Sequence, residues 1–210
     1  LIREKITGKP LQVVHNGNIN GVDLRYFDPE AVEAVEASED FTYIFVGRIV
    51  RDKGISELVA AFDKVHAKHA DTRLILLGRL EPELDPIGAD TEAAIKSNSA
   101  IVAPGVVKDV RPWLKSADVL VHPSYREGFP NVVLQGGAMG LPCVVTDING
   151  SNEIIVEGKN GIIVPKQDAT ALEQAMLRVY ERREETRAFA SVARDMIASR
   201  YAREDVHKAI

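Results

Sequence analysis

A chain of 210 residues, 45% hydrophobic and 27% charged, is long enough for one well-filled core, and its composition excludes a disordered or collagen-like protein. With 31 acidic against 26 basic side chains, a net charge of −5 and no long run of Lys or Arg, nucleic acid is not an expected partner. No apolar stretch approaches the roughly 18 residues of a membrane span, and the start "LIREKITGKP" lacks the apolar centre of a signal peptide. The single cysteine, Cys143, lies in the apolar run "LPCVV", cannot form an internal disulfide and reads as a buried inert thiol, which fits a cytoplasmic setting. The chain begins without methionine and ends inside a helical pattern, so a piece of a longer protein is expected.

Residues 1–40 read as a connector with little core: "HNGNINGVDLRYFDP" is dense in Asn, Gly and Asp, and "EAVEAVEASED" is an acidic segment fit for a helical turn. The first strand is expected at "FTYIFVG" (41–47). It leads into "GRIVRDKG" (47–54), where Gly47 permits a close turn and Arg48 and Lys53 bring two cations to one edge. An amphipathic helix follows at 55–70. His66 and His69 fall at its C-terminal end, where imidazoles suit the helix dipole better than they suit a metal.

Further strands are expected at 73–78, 100–105, 118–123, 142–146 and 161–165, with a helical segment at 110–117 that Trp113 would anchor to the sheet. His122, next to Pro123 at the end of the fourth strand, reads as a hydrogen-bonded structural histidine near the loop that follows. Residues 168–201 close the domain as one or two helices. Near-continuous apolar strands separated by helices mean a parallel sheet covered on both faces, an α/β Rossmann-like, doubly wound fold over residues 41–210.

Ligands of such sheets bind beyond the carboxyl ends of the strands, so the residues after each strand carry the chemistry. After the fourth comes "YREGFPNVVLQGGAMGLP" (125–142), a helix with Pro130 expected near its first position and two interior glycines. Each of those costs roughly 0.5–1 kcal/mol relative to alanine, a cost that makes sense if Gly136 and Gly137 let the helix lie close to the sheet, with Gly140 ending it. The free N–H groups of Gly128, Phe129 and Asn131 at the start of the helix suit an anion or hydroxyl. Glu127 can accept hydrogen bonds from hydroxyls, and Asn131 and Gln135 share a helix face. Together these favour a ligand with phosphates and hydroxyls. The Rossmann GxGxxG, the P-loop and the GxSxG elbow around Ser124 are all missing, which argues against dinucleotide, P-loop and hydrolase chemistry.

In order and spacing, "GRIVRDKG", "PGVVKDV", "ADVLVHPSYREGFPNVVLQGGAMGLPCVVTDINGSNEII" and "EGKNGIIVP" resemble the C-terminal, donor-binding half of the GT-B glycosyltransferases of family 4, the group 1 glycosyltransferases. The segment "NGNINGVDLRYFDP" is similar to the stretch by which such enzymes pass from their N-terminal half into this one. The resemblance implies that Arg48 and Lys53, with Gly47 beside them, grip the donor diphosphate and support its departure. The backbone at Val107 would meet the nucleobase. Glu127, the first acidic position of a Glu-x7-Glu motif, would bind donor-sugar hydroxyls with Gly128, Phe129, Pro130 and Asn131 around it. The second acidic position, which typically holds the ribose, is here Gln135.

A neutral amide still accepts a hydrogen bond but lacks the charge-assisted strength of a carboxylate, so the ribose contact is expected to be retuned. The activity implied is retaining, metal-independent transfer from a nucleotide-sugar, by family habit a UDP-sugar, to a polysaccharide or glycolipid acceptor. The nucleotide-sugar is a substrate and no cofactor is implied. The acceptor would sit on an N-terminal domain outside this chain, which alone is expected to transfer nothing, and the full-length enzyme is expected to touch a membrane surface. The alternatives are a non-catalytic sugar-nucleotide module, or an epimerase or phosphorylase of the same architecture.

Overall fold

Six apolar runs become six parallel strands: β1 (Phe41–Val46), β2 (Thr72–Leu77), β3 (Ile101–Gly105), β4 (Val119–His122), β5 (Cys143–Thr146) and β6 (Gly161–Val164). They lie in the order β3-β2-β1-β4-β5-β6, with the reversal between β1 and β4. The computed structural model describes residues 20–36 and 38–209, so the first part of the expected connector, residues 1–19, lies outside the described residues.

Alternation along each strand sends neighbouring side chains to opposite faces. Tyr43, Phe45, Leu76, Val121 and Val144 face one core, covered by α1 (Ile55–Lys68) through Leu58 and Phe62 and by α6 (Ala169–Glu181) through Leu172 and Met176. Ile44, Ile75, Leu120 and Val145 face the other, covered by α4 (Asn131–Ala138) through Val133 and Leu134 and by α7 (Arg183–Tyr201) through Ile197 and Tyr201. Burial on both faces is why the strands read as continuous apolar runs rather than alternating ones.

Shorter helices complete the chain: α2 (Ala89–Ser97), α3 (Arg111–Lys115), α5 (Ser151–Ile154) and α8 (Arg203–Ala209). Helix α2 is not among the expected elements, and it buries no residue fully, so its apolar stripe is too faint to read from sequence. Trp113 of α3 packs partly buried against the core shared with α4 and α7, as an anchor would. The closing segment is two helices, α6 and α7.

The connector supplies more core than its composition suggests. Val22 and Phe27 are buried, the Val22 N–H donates to the Tyr201 carbonyl at 2.8 Å, and Arg194 of α7 donates to the carbonyls of Leu24 (2.8 Å) and Phe27 (2.6 Å). Its only described turn of helix is a short 3₁₀ segment, Pro29–Ala31.

Helix α4 answers the question its glycines raise, with one correction. A β-carbon at Gly136 would come within 2.7 Å of Leu120 in β4, so this glycine lets the helix lie on the sheet. A β-carbon at Gly137 would instead meet Ile197 of α7 at 2.6 Å. Successive helix residues point about 100° apart, so two adjacent glycines cannot both face the sheet, and the second makes room for a helix. The end is a Schellman turn: Leu141 N–H donates to Gly136 O at 2.9 Å, Gly140 N–H donates to Gly137 O at 3.0 Å, and Gly140 has φ of 82°. Pro130 is the N-cap rather than the first helical residue, a shift of one position.

Candidate functional site

The strand order reverses between β1 and β4, and the loops leaving those two strands are bonded to each other. After β1, a 3₁₀ turn at Arg51–Lys53 ends on Gly54, whose φ of 70° and ψ of 27° are left-handed. A β-carbon there would lie 2.1 Å from the Pro123 carbonyl oxygen, so only glycine lets the two loops close. The Tyr125 N–H donates to Asp52 O at 2.8 Å, and the Ser124 hydroxyl reaches the same carbonyl at 3.3 Å. Asp85 holds the turn from behind, accepting from the Asp52 N–H at 2.7 Å and from Arg51 Nε at 3.2 Å. Neither loop can shift without the other.

This lock sets Lys53 against Glu127. Lys53 Nζ donates to Glu127 Oε1 at 2.5 Å, with side-chain exposures of 16% and 18%. His122, the last residue of β4 and 3% exposed, brings Nε2 within 3.1 Å of the same oxygen, and its ring stacks on Phe45 with centroids 6.3 Å apart and planes 8° apart. Burial is the largest single influence on the Glu127 carboxyl and pushes its pKa up. The hydrogen bonds from His122 and Lys53, together with their charges, outweigh it and hold the carboxyl down at about 2. Glu127 is therefore an anion at any physiological pH. Beside it opens a cavity of about 270 Å³ walled by Asp147, Asn149 and Lys166 from the exits of β5 and β6.

Arg48 sits on the other side of the lock. Its side chain is 52% exposed and meets Glu81 at 3.5 Å, beyond the exit of β2. A largely apolar hollow of about 350 Å³ lies here, lined by Gly47, Arg48, Gly78, Gly105, Val106 and Val107. Gly47, Arg48 and Val107 thus share one recess, while Lys53 and Glu127 share another contact further along the same edge. The amides of Gly128, Phe129 and Asn131 precede the first bond made by α4, from Val133 N–H to Pro130 O at 3.1 Å, and are donors the helix does not use. Asn131 and Gln135 do share a face, one that lines a cavity of about 390 Å³ together with Gly21, Phe27, Arg203 and His207.

Of the residues read from sequence, Arg48, Lys53, Glu127, Val107 and the start of α4 fall on the strand-exit edge. His122, expected as a structural histidine near the loop, lies on the Glu127 carboxylate itself, and its place one residue before Pro123 is the signal available in the sequence. His66 and His69 bond within the fold, to Thr72 Oγ1 at 3.2 Å and to Glu181 at 3.5 Å. Among the described residues no group of three His, Cys, Asp or Glu could hold a metal ion, and no helix is long and apolar enough to cross a membrane. Cys143 is buried, and burial pushes its thiol up to about 12, as expected of an inert thiol.

Residues 40–182 match the family model described as glycosyl transferases group 1. The capsular polysaccharide biosynthesis glycosyltransferase CapM of Staphylococcus aureus is 30% identical over 167 residues, covering 77% of this chain and 44% of CapM. The chain thus spans less than half the length of that curated relative. The fold is shared with the C-terminal domain of the group 1 family protein LpcC from Francisella tularensis, with a TM-score of 0.76 and 21% identity, covering 87% of this chain and 99% of that one. It is shared also with Anabaena HepE, crystallised with UDP and glucose, with a TM-score of 0.78 and 18% identity, covering 90% of this chain and 53% of HepE. With two thirds of its length matched by the family model and an α/β sheet of the same architecture, this chain belongs to the group 1 glycosyl transferases.

Proposed function

We propose that this chain is the donor-binding half of a glycosyltransferase that takes a sugar from a nucleoside diphosphate, UDP by preference, and passes it to a polysaccharide or glycolipid acceptor. The observation that carries this reading is the 2.5 Å contact between Lys53 and Glu127 across the reversal of the sheet. It puts a fixed cation and an ionised hydroxyl acceptor side by side, the two groups that a phosphate joined to sugar hydroxyls calls for. The apolar hollow at Val107 would take the base, with Arg48 and Gly47 between base and diphosphate. Gly128, Phe129 and Asn131 would offer amides, and Pro130 would fix the turn that aims them. Gln135, neutral where a carboxylate would bind more strongly, supports a retuned ribose contact.

As the sugar leaves, negative charge grows on the phosphates and positive character on the anomeric carbon. Arg48, Lys53 and the N-terminal end of α4 would stabilise the former, the kind of fixed electrostatic support that is worth most away from water. This is the chemistry of a retaining, metal-independent transferase, with the nucleotide-sugar as substrate and no cofactor. The acceptor is assigned to an N-terminal domain, so this chain binds donor and transfers nothing alone. The full-length enzyme is assigned to the cytoplasm, in peripheral contact with the membrane where its acceptor is lipid-linked.

The test is a thermal-shift panel on the chain with UDP, GDP, ADP and their common sugar conjugates in chelator. A ligand at 100 times its dissociation constant should stabilise the fold by about 2.7 kcal/mol, a shift of a few degrees. The reading predicts a shift for one nucleotide family that is lost in Arg48→Ala. No shift with any nucleotide, or a shift unchanged by Arg48→Ala, would overturn it.

A further inference from the structure

Glu127 is held through one oxygen. Lys53 Nζ and His122 Nε2 both meet Oε1, and Oε2 has no hydrogen-bond partner among the described residues, with the 270 Å³ cavity beside it. A lysine by itself is a flexible point charge that lets a carboxylate swing. The imidazole is a different kind of partner: it sits on the last residue of a central strand, is 3% exposed and is stacked flat on Phe45. Its position is set by the sheet.

Donation to Oε1 requires the proton on Nε2. His122 Nδ1 is buried without a partner among the described residues, so the bond to Glu127 is the one polar contact found there for this ring. Nothing in the packing of β4 requires a histidine here. Its neighbours Val121 and Leu120 fill the cores on the two faces of the sheet with plain aliphatic side chains. The polar ring makes sense through its contact with Glu127.

We propose that His122 is a positioning residue for the transfer site: with Lys53 it occupies Oε1 of Glu127, so that Oε2 is presented in a fixed plane to the hydroxyls of the donor sugar. The inference rests on the sugar-nucleotide reading given above. It assigns the selectivity for the sugar, as opposed to the nucleotide, to a buried residue that the ligand does not touch.

The test compares the parent chain with His122→Leu, which removes the donor, and His122→Gln, whose amide can still donate to Oε1. Affinities for UDP and for UDP-glucose are measured by calorimetry, and the Glu127 carboxyl carbon is titrated by NMR. The charged groups that bear on that titration are Lys53 and His122 in contact, and Arg126, Asp147 and Lys166 around the cavity. His122→Leu is expected to weaken UDP-glucose roughly tenfold, the size of one charge-assisted hydrogen bond, while UDP binds as before. It should also raise the titration midpoint of Glu127, and His122→Gln should restore both. If His122→Leu does not fold, His122→Asn, too short to reach Oε1, carries the same expectation. An unchanged ratio of the two affinities overturns the proposal. If the parent binds neither compound, it is the sugar-nucleotide reading that fails, and the NMR titration still decides: a Glu127 midpoint equal in parent and His122→Leu overturns the positioning role on its own.

Discussion

Where the loops after β1 and β4 meet, Lys53 and Glu127 are less than a fifth exposed and touch at 2.5 Å, whereas next to β1 itself Arg48 keeps 52% of its side chain in solvent and meets Glu81 only at 3.5 Å. Both ends belong to one strand-exit edge, and both carry charge. They differ in what fixes that charge. Lys53 is fixed by a left-handed glycine, a shared carbonyl and a partner that is itself held by a strand histidine. Arg48 is a long side chain on an open rim beside an apolar hollow. The difference separates a part of the site that is organised before any ligand arrives from a part that a ligand must organise, and ordering a long side chain costs affinity. In the proposed function the first part reads the sugar and the second receives base and phosphate.

The sharpest way to break this contrast is to unlock the loops. Gly54→Ala adds a left-handed penalty of roughly 1–2 kcal/mol to an overlap with the Pro123 carbonyl worth roughly 1–3 kcal/mol. Urea unfolding should show a loss of about 2–5 kcal/mol, and a loss below 1 kcal/mol would mean the loops are not locked as described. Next comes the charge itself. Lys53→Met leaves a mostly buried carboxylate with His122 alone and should cost about 2–3 kcal/mol, while Arg48→Ala should stay within about 1 kcal/mol. Equal losses in the same urea experiment would erase the distinction between the two ends.

The pH dependence sharpens it further. The Glu127 carboxyl is held at about 2 in the fold against 4.5 as its ordinary value, so its contribution is complete above pH 4.5 and disappears as pH falls toward 2. Acid titration of stability should therefore show the parent converging on Glu127→Gln across that window. A gap between them that stays constant from pH 6 to pH 2 would contradict the assignment. The smallest effect concerns α4. Gly137→Ala presses on the branched Ile197 near its backbone and should cost about 1–2 kcal/mol, whereas Gly136→Ala meets the far end of Leu120 and should cost less, part of each being offset by the better helix propensity of alanine. A reversed order in thermal unfolding would mean that α4 rests on the sheet and on α7 differently.

Much of this architecture was legible because burial on both faces leaves a plain mark. The strands read as short apolar runs, aromatic in β1 and rich in Val, Ile or Leu in β2, β4 and β6, and Gly140 ends α4 as the sequence predicts. What escaped depends on distant partners. Val22 and Phe27 hide in a stretch rich in Asn, Gly and Asp, and they become core only because Tyr201 and Arg194 meet them from the far end of the chain. Helix α2 shows too little apolar surface to announce itself. At the site, the residue types and the edge they share were readable from spacing. The pairing of Lys53 with Glu127, and the contact of His122 with the same carboxylate, follow from the register of β4 against β1 and from the Asp52 to Tyr125 bond, neither of which is written in local sequence.

One edge, from Val107 to Glu127, is proposed to hold a sugar nucleotide. Amide shift mapping of the isotope-labelled chain during a titration with UDP-glucose decides the matter. The largest saturable changes are expected on Gly47, Arg48, Val107, Gly128 and Phe129, with Lys53 following. Changes confined to residues off that edge and away from Gln135, or none at all at millimolar ligand, would contradict it.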